Sequence, residues 1–339
     1  MPMTIEKQTI SISEAKSLLC RAFRANGVPE VCAQSVAEAL VAAEAEGQQG
    51  HGFSRLADYV AQVRSGKINA LAIPECHSNG AASLTVDAGN GFAYPALDLA
   101  IAKGIDAARQ TGCAAVAITN SHHCGALSVQ VEKIAKQGFI GLMVANAPAA
   151  IAPWGSKTPI FGTNPIAFAA PRSDDTPLVI DLSLSRVARG KVMNAKKTGQ
   201  PIPLGWALDR EGNPTTDPEA ALEGSMVAIG EAKGAALALI VEILAAVFTG
   251  ANLSSNMSSY FNADGPPPAS GQFLLILKPS DSNLFAAGLE SLLGNIIAAE
   301  GARLPGTRRM SALQHARSHG LEVPKTYLDA ARNLAENHE

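Results

Sequence analysis

The chain has 339 residues, of which 47% are hydrophobic and 17% charged, and its formal net charge at pH 7 is −3. The hydrophobic fraction excludes a largely disordered chain, and the length predicts two or three structural units of roughly 100–200 residues each. The 27 basic residues are spread along the sequence rather than clustered, so we expect no nucleic-acid partner.

The first part of the chain predicts helices. A capping-box spacing between Ser11 and Glu14 begins the first helix, in which apolar residues recur at i, i+3 and i+4 as far as Gly27. A second helix is predicted over 30–46 and a third over 56–65. The polar junction between them holds a histidine and an arginine, and we expect such a corner to direct side chains into a cleft.

From about residue 80 the pattern alternates between strands and helices. This alternation indicates an α/β fold, although it does not give the order of the strands. The segments 147–165 and 186–220 are rich in turn residues and are predicted to be loops. Residues beyond about 305 are predicted to be helical and to pack on the N-terminal helices. Strands are predicted over 84–88, 113–119, 139–145, 178–182 and 272–277, and helices over 95–110, 126–136 and 282–300.

The sequence also argues against a membrane or secreted protein. Its longest apolar run, from Ala235 to Phe248, contains Glu242 and is too short to cross ~30 Å of hydrocarbon. The first residues lack the apolar stretch of a signal peptide. The five cysteines are an odd number without C-x-x-C spacing, which is typical of reduced thiols. We therefore expect a cytoplasmic enzyme with no membrane partner.

The usual dinucleotide fingerprint is incomplete in this chain. Gly89 and Gly91 follow a predicted strand and precede a helix, but the position of the third glycine holds Tyr94. A Rossmann turn needs its glycines for the tight bend, for the approach of the pyrophosphate and for the packing of the helix. An ordinary turn is therefore the favoured interpretation.

Three adjacent residues, His122, His123 and Cys124, raise the alternative of a metal site. Adjacent residues in a tight turn seldom converge on one ion, and no second pair of ligands stands at a recognisable spacing. His315 and His319 are four residues apart but lack the acid of an H-E-x-x-H motif. We expect no metal. A metal-dependent hydrolase remains the alternative, and metal analysis of the purified protein would decide it.

Two histidines are the candidate acid–base groups. His51 stands four residues before Arg55, and an arginine can hold a carboxylate through two hydrogen bonds while a nearby histidine donates a proton. Together they would suit the reduction of a small 2-oxo or 2-imino acid. His123 follows a predicted strand and precedes a helix, where open α/β sheets bind ligands. Solvated histidines beside a surface arginine are the simpler alternative.

The sequence resembles the malate/L-lactate/L-sulfolactate dehydrogenase family, whose members bind NAD(P) without a Rossmann fold. The matching stretches follow the family's order and cover nearly the whole chain: GHGFSR, NGFAYPAL, NSHHCGAL, FGTNPIAFAAP, VIDLSLSRVARGKV, PIPLGWALDREGNPTTDP, AKGAALALIVEIL and LPGTRR. The resemblance implies a non-Rossmann α/β fold and a homodimer. It also implies a helical domain made from both termini (1–75 plus 310–339) and an α/β NAD(P)-binding and catalytic domain (76–309).

Within the family, the stretches NGFAYPAL, SHHCGAL, FTGANLS and GQFLLIL most resemble the Δ1-piperideine-2-carboxylate/Δ1-pyrroline-2-carboxylate reductases. This resemblance implies reduction of a cyclic 2-imino acid to L-pipecolate or L-proline with NADPH, and with NADH as a second cofactor. The alternative is an NAD(P)-dependent 2-hydroxyacid dehydrogenase that acts on malate, lactate or sulfolactate. A binding protein without activity is the remaining alternative.

The resemblance also implies roles for single residues. His51 matches the proton donor, and His123 matches a residue that competes for the same acid–base role. The implied substrate contacts are Arg55, Thr163, Arg189 and Gly190. The implied cofactor-binding positions are His123, Cys124, Gly125, Ala126, Leu127, Asp181, Leu182, Ser183, Ala232, Lys233, Arg303, Leu304, Pro305, Gly306, Thr307, Arg308 and Arg309. The three arginines at the end favour NADPH, because a 2′-phosphate favours an arginine contact.

Two positions depart from the imine reductase pattern. Gly50 stands where the family usually has a serine before the first histidine, and Lys191 stands where the imine reductases have the aspartate of a Ser-His-Asp relay. That relay cannot be drawn in this chain, so the sequence leaves open what orients His51. The stretch ARGKV, which contains Lys191, resembles the hydroxyacid dehydrogenases instead.

Overall fold

The computed structural model describes residues 6–174 and 176–336, with the backbone alone for Lys197. Residues 1–5 and 337–339 of the predicted helical domain lie outside the described residues. The helices are α1 (Ile12–Arg24), α2 (Glu30–Ala45), α3 (Leu56–Arg64), α4 (Ala93–Thr111), α5 (Leu127–Ala135), α6 (Arg189–Thr198), α7 (Pro218–Glu223), α8 (Ala232–Glu242), α9 (Ser282–Ala298), α10 (Thr307–His319) and α11 (Lys325–Glu336). The strands are β1 (Lys7–Ile10), β2 (Glu75–Gly80), β3 (Ser83–Asp87), β4 (Cys113–Ser121), β5 (Ile140–Ala145), β6 (Ile166–Ala170), β7 (Leu178–Leu182), β8 (Ala207–Leu208), β9 (Pro214–Thr215), β10 (Ser225–Met226), β11 (Ser270–Leu277) and β12 (Leu321–Pro324).

One hydrophobic core joins helices from both ends of the chain. Buried side chains of α1, α2, α3 and α11, among them Phe23, Leu40 and Leu328, pack in it together. The capping box of α1 is confirmed, because the Ser11 hydroxyl accepts from the Glu14 N–H and the Glu14 carboxylate accepts from the Ser11 N–H. Strands β1 and β12 pair antiparallel and tie the two ends together. The domain boundaries themselves stay a prediction, which this shared core supports.

A seven-stranded mixed sheet forms the rest of the scaffold, in the order β2-β3-β4-β11-β5-β6-β7. Only β3 and β4 pair parallel in it, and the other neighbours are antiparallel. Helices α4 and α5 cover one face, and α8 with its neighbouring segments covers the other. The predicted α/β fold is confirmed, and this strand order differs from the parallel sheet of a Rossmann domain.

The segment predicted to be a loop over 186–220 contains two helices. The N-terminus of α7 has clear signals, since the Asp217 side chain caps it and Pro218 stands at its first turn. Helix α6 is polar, so it lacks the apolar periodicity on which the prediction depended, and it ends at Gly199 in the left-handed conformation. Strands β1, β2, β6 and β12 were also missed, and they are short segments of four to six residues. The two-residue strands β8, β9 and β10 were missed as well.

Gly271 allows the central strand β11 to pass very close to a π-helical turn over Ile243–Val247. A Cβ atom built on Gly271 would lie 1.6 Å from the Ala245 carbonyl oxygen and 2.6 Å from the Thr249 hydroxyl. We expect Gly271→Ala to lower the free energy of unfolding by about 3 kcal/mol, since the clashing group is backbone that cannot turn away. Thermal unfolding measures this effect.

Gly288→Ala is the matched control for Gly271→Ala. Gly288 lies within the exposed helix α9, where a Cβ atom meets nothing within 4 Å. Alanine there should raise stability by about 0.5–1 kcal/mol, because glycine is a poor helix former. Equal melting temperatures for the two variants would contradict the close approach of β11 to the π-helical turn.

Candidate functional site

The two histidines predicted as acid–base groups lie together, between the helical core and the sheet. His51 ends a 3-10 turn that follows α2, and His123 follows the C-terminal end of β4. Their rings stack with a centroid separation of 5.3 Å and an interplanar angle of 21°. Tyr59 of α3 lies beside them, with its hydroxyl 2.6 Å from Nδ1 of His123 and 3.0 Å from the Tyr94 hydroxyl. The site is therefore built from segments that are far apart in sequence.

Both histidines are held in the neutral form. Burial lowers the pKa of His51 to about 3, and the nearby Arg55 guanidinium contributes to the shift. Burial, Arg55 and His51 lower the pKa of His123 well below its ordinary value. Burial raises the pKa of Tyr59, so its hydroxyl keeps the proton. If Tyr59 donates this proton to Nδ1 of His123, the Nε2 atom of His123 carries the ring hydrogen.

Arg55 is buried next to the histidines, with 8% of its surface exposed. Its Nε donates to the Gly50 carbonyl at 2.8 Å, and its guanidinium lies 4.4 Å from the Phe261 ring centroid. Oδ2 of Asp58 forms an ion pair with Nη1 at 3.8 Å, a distance that is too long for a hydrogen bond. Nη1 is buried without a hydrogen-bond partner, and so is Nδ1 of His51. These two atoms mark a place that suits an anionic, hydrogen-bonding ligand.

Three polar residues of the site were not predicted. Gln62 is fully buried, and its amide bridges the Nε2 atom of His122 at 2.8 Å and the carbonyl of Tyr260 at 3.0 Å. The side chain of Gln272 in β11 donates to the His122 carbonyl at 3.2 Å. Tyr260 packs its ring 5.3 Å from His122 and 5.0 Å from His123. The sequence contained one signal for Gln62, since a glutamine on the apolar face of a predicted helix is unusual.

Both histidines of the considered metal motif have other partners. His122 hydrogen-bonds Gln62, and His123 hydrogen-bonds Tyr59. Among residues 6–174 and 176–336, no cluster of three histidine, cysteine, aspartate or glutamate residues has the arrangement of a metal site. His315 and His319 stack on each other on the exposed side of α10. The absence of a metal stays a prediction.

The predicted cofactor-binding segments meet at the edge of the sheet. The segment His123–Leu127 leads into α5, where Asp181 of β7 accepts from the Ser128 N–H at 2.8 Å. Further along the chain, Ser183 is followed by Leu184, whose N–H donates to the Thr163 carbonyl at 2.9 Å. A Cβ atom on Gly306 would lie 2.9 Å from the Val179 carbonyl of β7, so the segment 303–309 lies against the same strand.

The segment 303–309 has the chemistry of a phosphate site. It folds around a cavity of about 280 Å³ and leads into α10, whose N-terminus begins at Gly306 without a side-chain cap. Arg303 and Arg308 are exposed there. Uncapped N–H groups and arginines favour a phosphate, so these residues fit the phosphate groups of a dinucleotide. Arg309 is used differently, since its Nη1 pairs with Glu46 at 2.6 Å and Glu132 at 3.3 Å.

The remaining predicted residues lie at the starts of two helices. Ala232 and Lys233 begin α8, and Lys233 is exposed. The Arg189 guanidinium, at the start of α6, donates to the Ala149 carbonyl at 3.0 Å. Gly190 and Lys191 follow it and are exposed. The described contacts do not bring Arg189, Gly190 or Lys191 to the histidines, and the substrate roles of Arg189 and Gly190 stay predictions.

Comparison with known proteins agrees with this fold. The family model described as malate/L-lactate dehydrogenase matches residues 10–331. The crystal structure of Δ1-piperideine-2-carboxylate reductase from Pseudomonas syringae pv. tomato superposes with a TM-score of 0.91 at 37% identity, covering 96% of this chain and 99% of that one. Sulfolactate dehydrogenase from Methanocaldococcus jannaschii superposes with a TM-score of 0.87 at 28% identity, covering 96% of each chain.

The names of two curated relatives indicate different substrates. The (2R)-3-sulfolactate dehydrogenase (NADP(+)) of Chromohalobacter salexigens is 49% identical over 96% of this chain and 98% of its own. The Δ1-pyrroline-2-carboxylate/Δ1-piperideine-2-carboxylate reductase of Pseudomonas syringae pv. tomato is 38% identical over 97% of this chain and 96% of its own. The chain belongs to the malate/L-lactate dehydrogenase family and is an oxidoreductase, as predicted. No described helix is long and apolar enough to span a membrane.

Proposed function

We propose that this protein is an NADP-dependent 2-hydroxyacid dehydrogenase with (2R)-3-sulfolactate as its leading substrate. The observation that carries the proposal is the buried Arg55, whose Nη1 has no hydrogen-bond partner and whose guanidinium lies near two neutral histidines. A neutral imidazole accepts the proton of a hydroxyl, and a guanidinium binds the neighbouring carboxylate. The 49% identical relative supports both the substrate and the cofactor, since its name gives sulfolactate and NADP(+).

The bound NADP+ would supply the hydride acceptor in the oxidation of the 2-hydroxyacid. Arg55 would hold the substrate carboxylate through Nη1, which has no hydrogen-bond partner in the protein, and fix the C2 hydroxyl beside His51. His51 would take the hydroxyl proton, because one of its ring nitrogens has no protein partner. His123, held by Tyr59, would pack on the His51 ring and restrict its orientation. At the far end of the cofactor, Arg303 and Arg308 would hold phosphate groups.

Reduction of a cyclic 2-imino acid is the second candidate. The overall match to Δ1-piperideine-2-carboxylate reductase, with a TM-score of 0.91, favours it. The electrostatics of the pocket favour the hydroxyacid, however. A cyclic imine becomes a cation when it is protonated, and the Arg55 guanidinium disfavours a second positive charge beside it. The lysine at position 191, where imine reductases have the relay aspartate, agrees with this preference.

A substrate panel tests the choice between the two candidates. The change in NADPH absorbance at 340 nm is followed with sulfolactate, malate and lactate in one direction, and with sulfopyruvate, Δ1-piperideine-2-carboxylate and Δ1-pyrroline-2-carboxylate in the other. We expect kcat/KM for sulfopyruvate to exceed that for either imine by at least about 100-fold. The reverse ranking would establish the imine reductase and overturn the proposal.

Arg55→Ala should raise KM for the carboxylate substrate about 10- to 100-fold, because a hydrogen bond to a charged group is worth about 1.5–3 kcal/mol. The Kd for NADPH, measured by fluorescence titration, should stay unchanged. Arg64→Ala is the control, since Arg64 ends helix α3, which Arg55 precedes, but binds the Asn26 side chain at an exposed position. A normal KM in Arg55→Ala would show that the carboxylate binds elsewhere.

We also propose that two copies of the chain associate, as the sequence resemblance implies. Six large apolar side chains of α8 and the following turn are 41–62% exposed: Leu237, Leu239, Ile240, Ile243, Val247 and Phe248. Contiguous apolar surface of this kind marks association sites. Light scattering should give the mass of two 35.0 kDa chains, and the mass of one chain would contradict the dimer. A cytoplasmic location likewise remains a proposal.

A further inference from the structure

A buried lysine lies beneath the loop that covers the histidines. Lys67 follows α3 and is only 2% exposed. Its ammonium group donates to three backbone carbonyls, those of Ser259 at 2.6 Å, Asn262 at 3.1 Å and Asp264 at 2.7 Å. All three donors of the ammonium are thereby used. Burying a charge is costly unless it is fully hydrogen-bonded, and here a single segment supplies every acceptor.

That segment, residues 258–266, forms a loop over the site, which we name the covering loop. The Ser258 hydroxyl closes it by donating to the Pro266 carbonyl at 2.7 Å. Two aromatic residues at its centre contact the site. Tyr260 packs on His122 and His123, and Phe261 lies 4.4 Å from the Arg55 guanidinium. The loop therefore packs directly against Arg55 and the histidines.

The covering loop is fastened to the α3 side of the site by two residues. Gln62 donates to the Tyr260 carbonyl, and Lys67 holds the carbonyls on either side of it. After burial, the charge of the Lys67 ammonium also contributes to the low pKa of His122. No uncharged side chain of this length offers three rotatable donors to carbonyls that point in different directions. The lysine is thus suited to fix the loop rather than merely to fill space.

We propose that Lys67 is a positioning residue that holds the covering loop closed and thereby sets the affinity of the site for its substrate. The inference rests on the proposed function in one respect only, that the reaction takes place beside Arg55 and His51. Without the ammonium, the three loop carbonyls form hydrogen bonds with water instead, and the covering loop samples open conformations. Substrate affinity then falls by the factor by which the closed population falls.

Lys67→Met removes the charge and all three donors but keeps an unbranched side chain of similar length. The first readout is hydrogen exchange of the backbone amides, measured on the protein alone. We expect the amides of the covering loop to exchange at least about 10-fold faster, while those of α3 and β11 keep their rates. The second readout is steady-state kinetics, in which KM rises at least about 10-fold and kcat changes less than about threefold.

Two further variants separate positioning from general stability. Ile68→Val shortens the neighbouring, equally buried side chain, which packs in the helical core, and it should change neither loop exchange nor KM. Lys67→Gln keeps two donors without the charge, so its loop exchange and KM should lie between those of the wild type and Lys67→Met.

The outcomes decide between the alternatives. Faster exchange throughout the protein would show that Lys67 only stabilises the fold and would overturn the proposal. Faster loop exchange with an unchanged KM would overturn it as well, since the loop position would then not matter for the substrate. Unchanged loop exchange would show that Gln62 and the loop itself suffice, and it would likewise overturn the proposal. If the wild type turned over no substrate of the panel, the proposed function would fail. Hydrogen exchange would still test whether Lys67 holds the covering loop.

Discussion

Replacement of His51 by alanine should lower kcat about 10²- to 10⁴-fold, the usual contribution of a positioned acid–base group. The variant should bind NADPH with an unchanged Kd, because His51 is not among the residues predicted to bind the cofactor. Its Nδ1 atom is buried without a hydrogen-bond partner, and Arg55, which we propose to hold the substrate carboxylate, lies nearby. Single-turnover and steady-state rates at 340 nm measure the effect.

The pH dependence gives a second readout for His51. Its pKa is lowered to about 3, so the neutral form that accepts a proton is present at all pH values well above 3. We therefore expect no loss of kcat/KM for hydroxyacid oxidation from this group between pH 8 and pH 5. A histidine of ordinary pKa, near 6.5, would lose most of its neutral form over the same range.

His315→Ala is the control for His51→Ala, since His315 lies on α10 and stacks only on His319 among the aromatic rings described. It should leave kcat unchanged. An unchanged kcat in His51→Ala would move the acid–base role to His123. In that case His123→Ala should show the large loss of kcat, and Tyr59→Phe should reduce it as well, because the Tyr59 hydroxyl hydrogen-bonds the His123 ring.

Replacement of Arg309 by leucine should destabilise the protein by about 3 kcal/mol, because it leaves two buried carboxylates without their cation. Arg309 is 9% exposed and pairs with Glu46 and Glu132, which come from α2's end and from α5. Burial already raises the pKa of Glu46. With an unfolding entropy of roughly 2.1 cal/mol/K per residue, this loss corresponds to a melting temperature lower by about 4 °C.

Arg308 provides a matched control at the adjacent position. It lies on the same turn of α10, but it is exposed. Arg308→Leu should change the free energy of unfolding by less than about 0.5 kcal/mol, and it should weaken NADPH binding instead. Melting temperatures that fall equally in the two variants would contradict the structural role of Arg309. An unchanged Kd for NADPH in Arg308→Leu would remove Arg308 from the phosphate site.

Local signals in the sequence predicted much of the fold. The capping box, the helical periodicity up to residue 24 and the apolar strands each depend on neighbouring residues, and the structure places them within a few residues of the prediction. The position of β11 could not be predicted in this way. It lies in the sheet between β4 and β5, although it begins more than a hundred residues after β5 ends at residue 145. No local pattern in the sequence indicates a pairing between segments so far apart.

Only the part of the candidate site that depends on local patterns was predicted from the sequence. His51 and Arg55 stand four residues apart, so a local pattern was enough to single them out. Lys67 and Tyr260 acquire their places only when the covering loop folds back on α3, from almost two hundred residues away. Arg309 illustrates another limit. Adjacent helical residues point about 100° apart, so Arg308 faces solvent while Arg309 faces Glu46.

The central claim is that a 2-hydroxyacid is oxidised at C2 beside Arg55 and His51. The most direct test uses (2R)-3-sulfolactate with deuterium at C2, together with NADP+, and analyses the NADPH formed. We predict that the deuterium is transferred to the nicotinamide and that kcat/KM falls relative to the unlabelled substrate. Turnover that leaves the label on the acid, or no turnover of sulfolactate beside efficient reduction of a cyclic imine, would contradict the account.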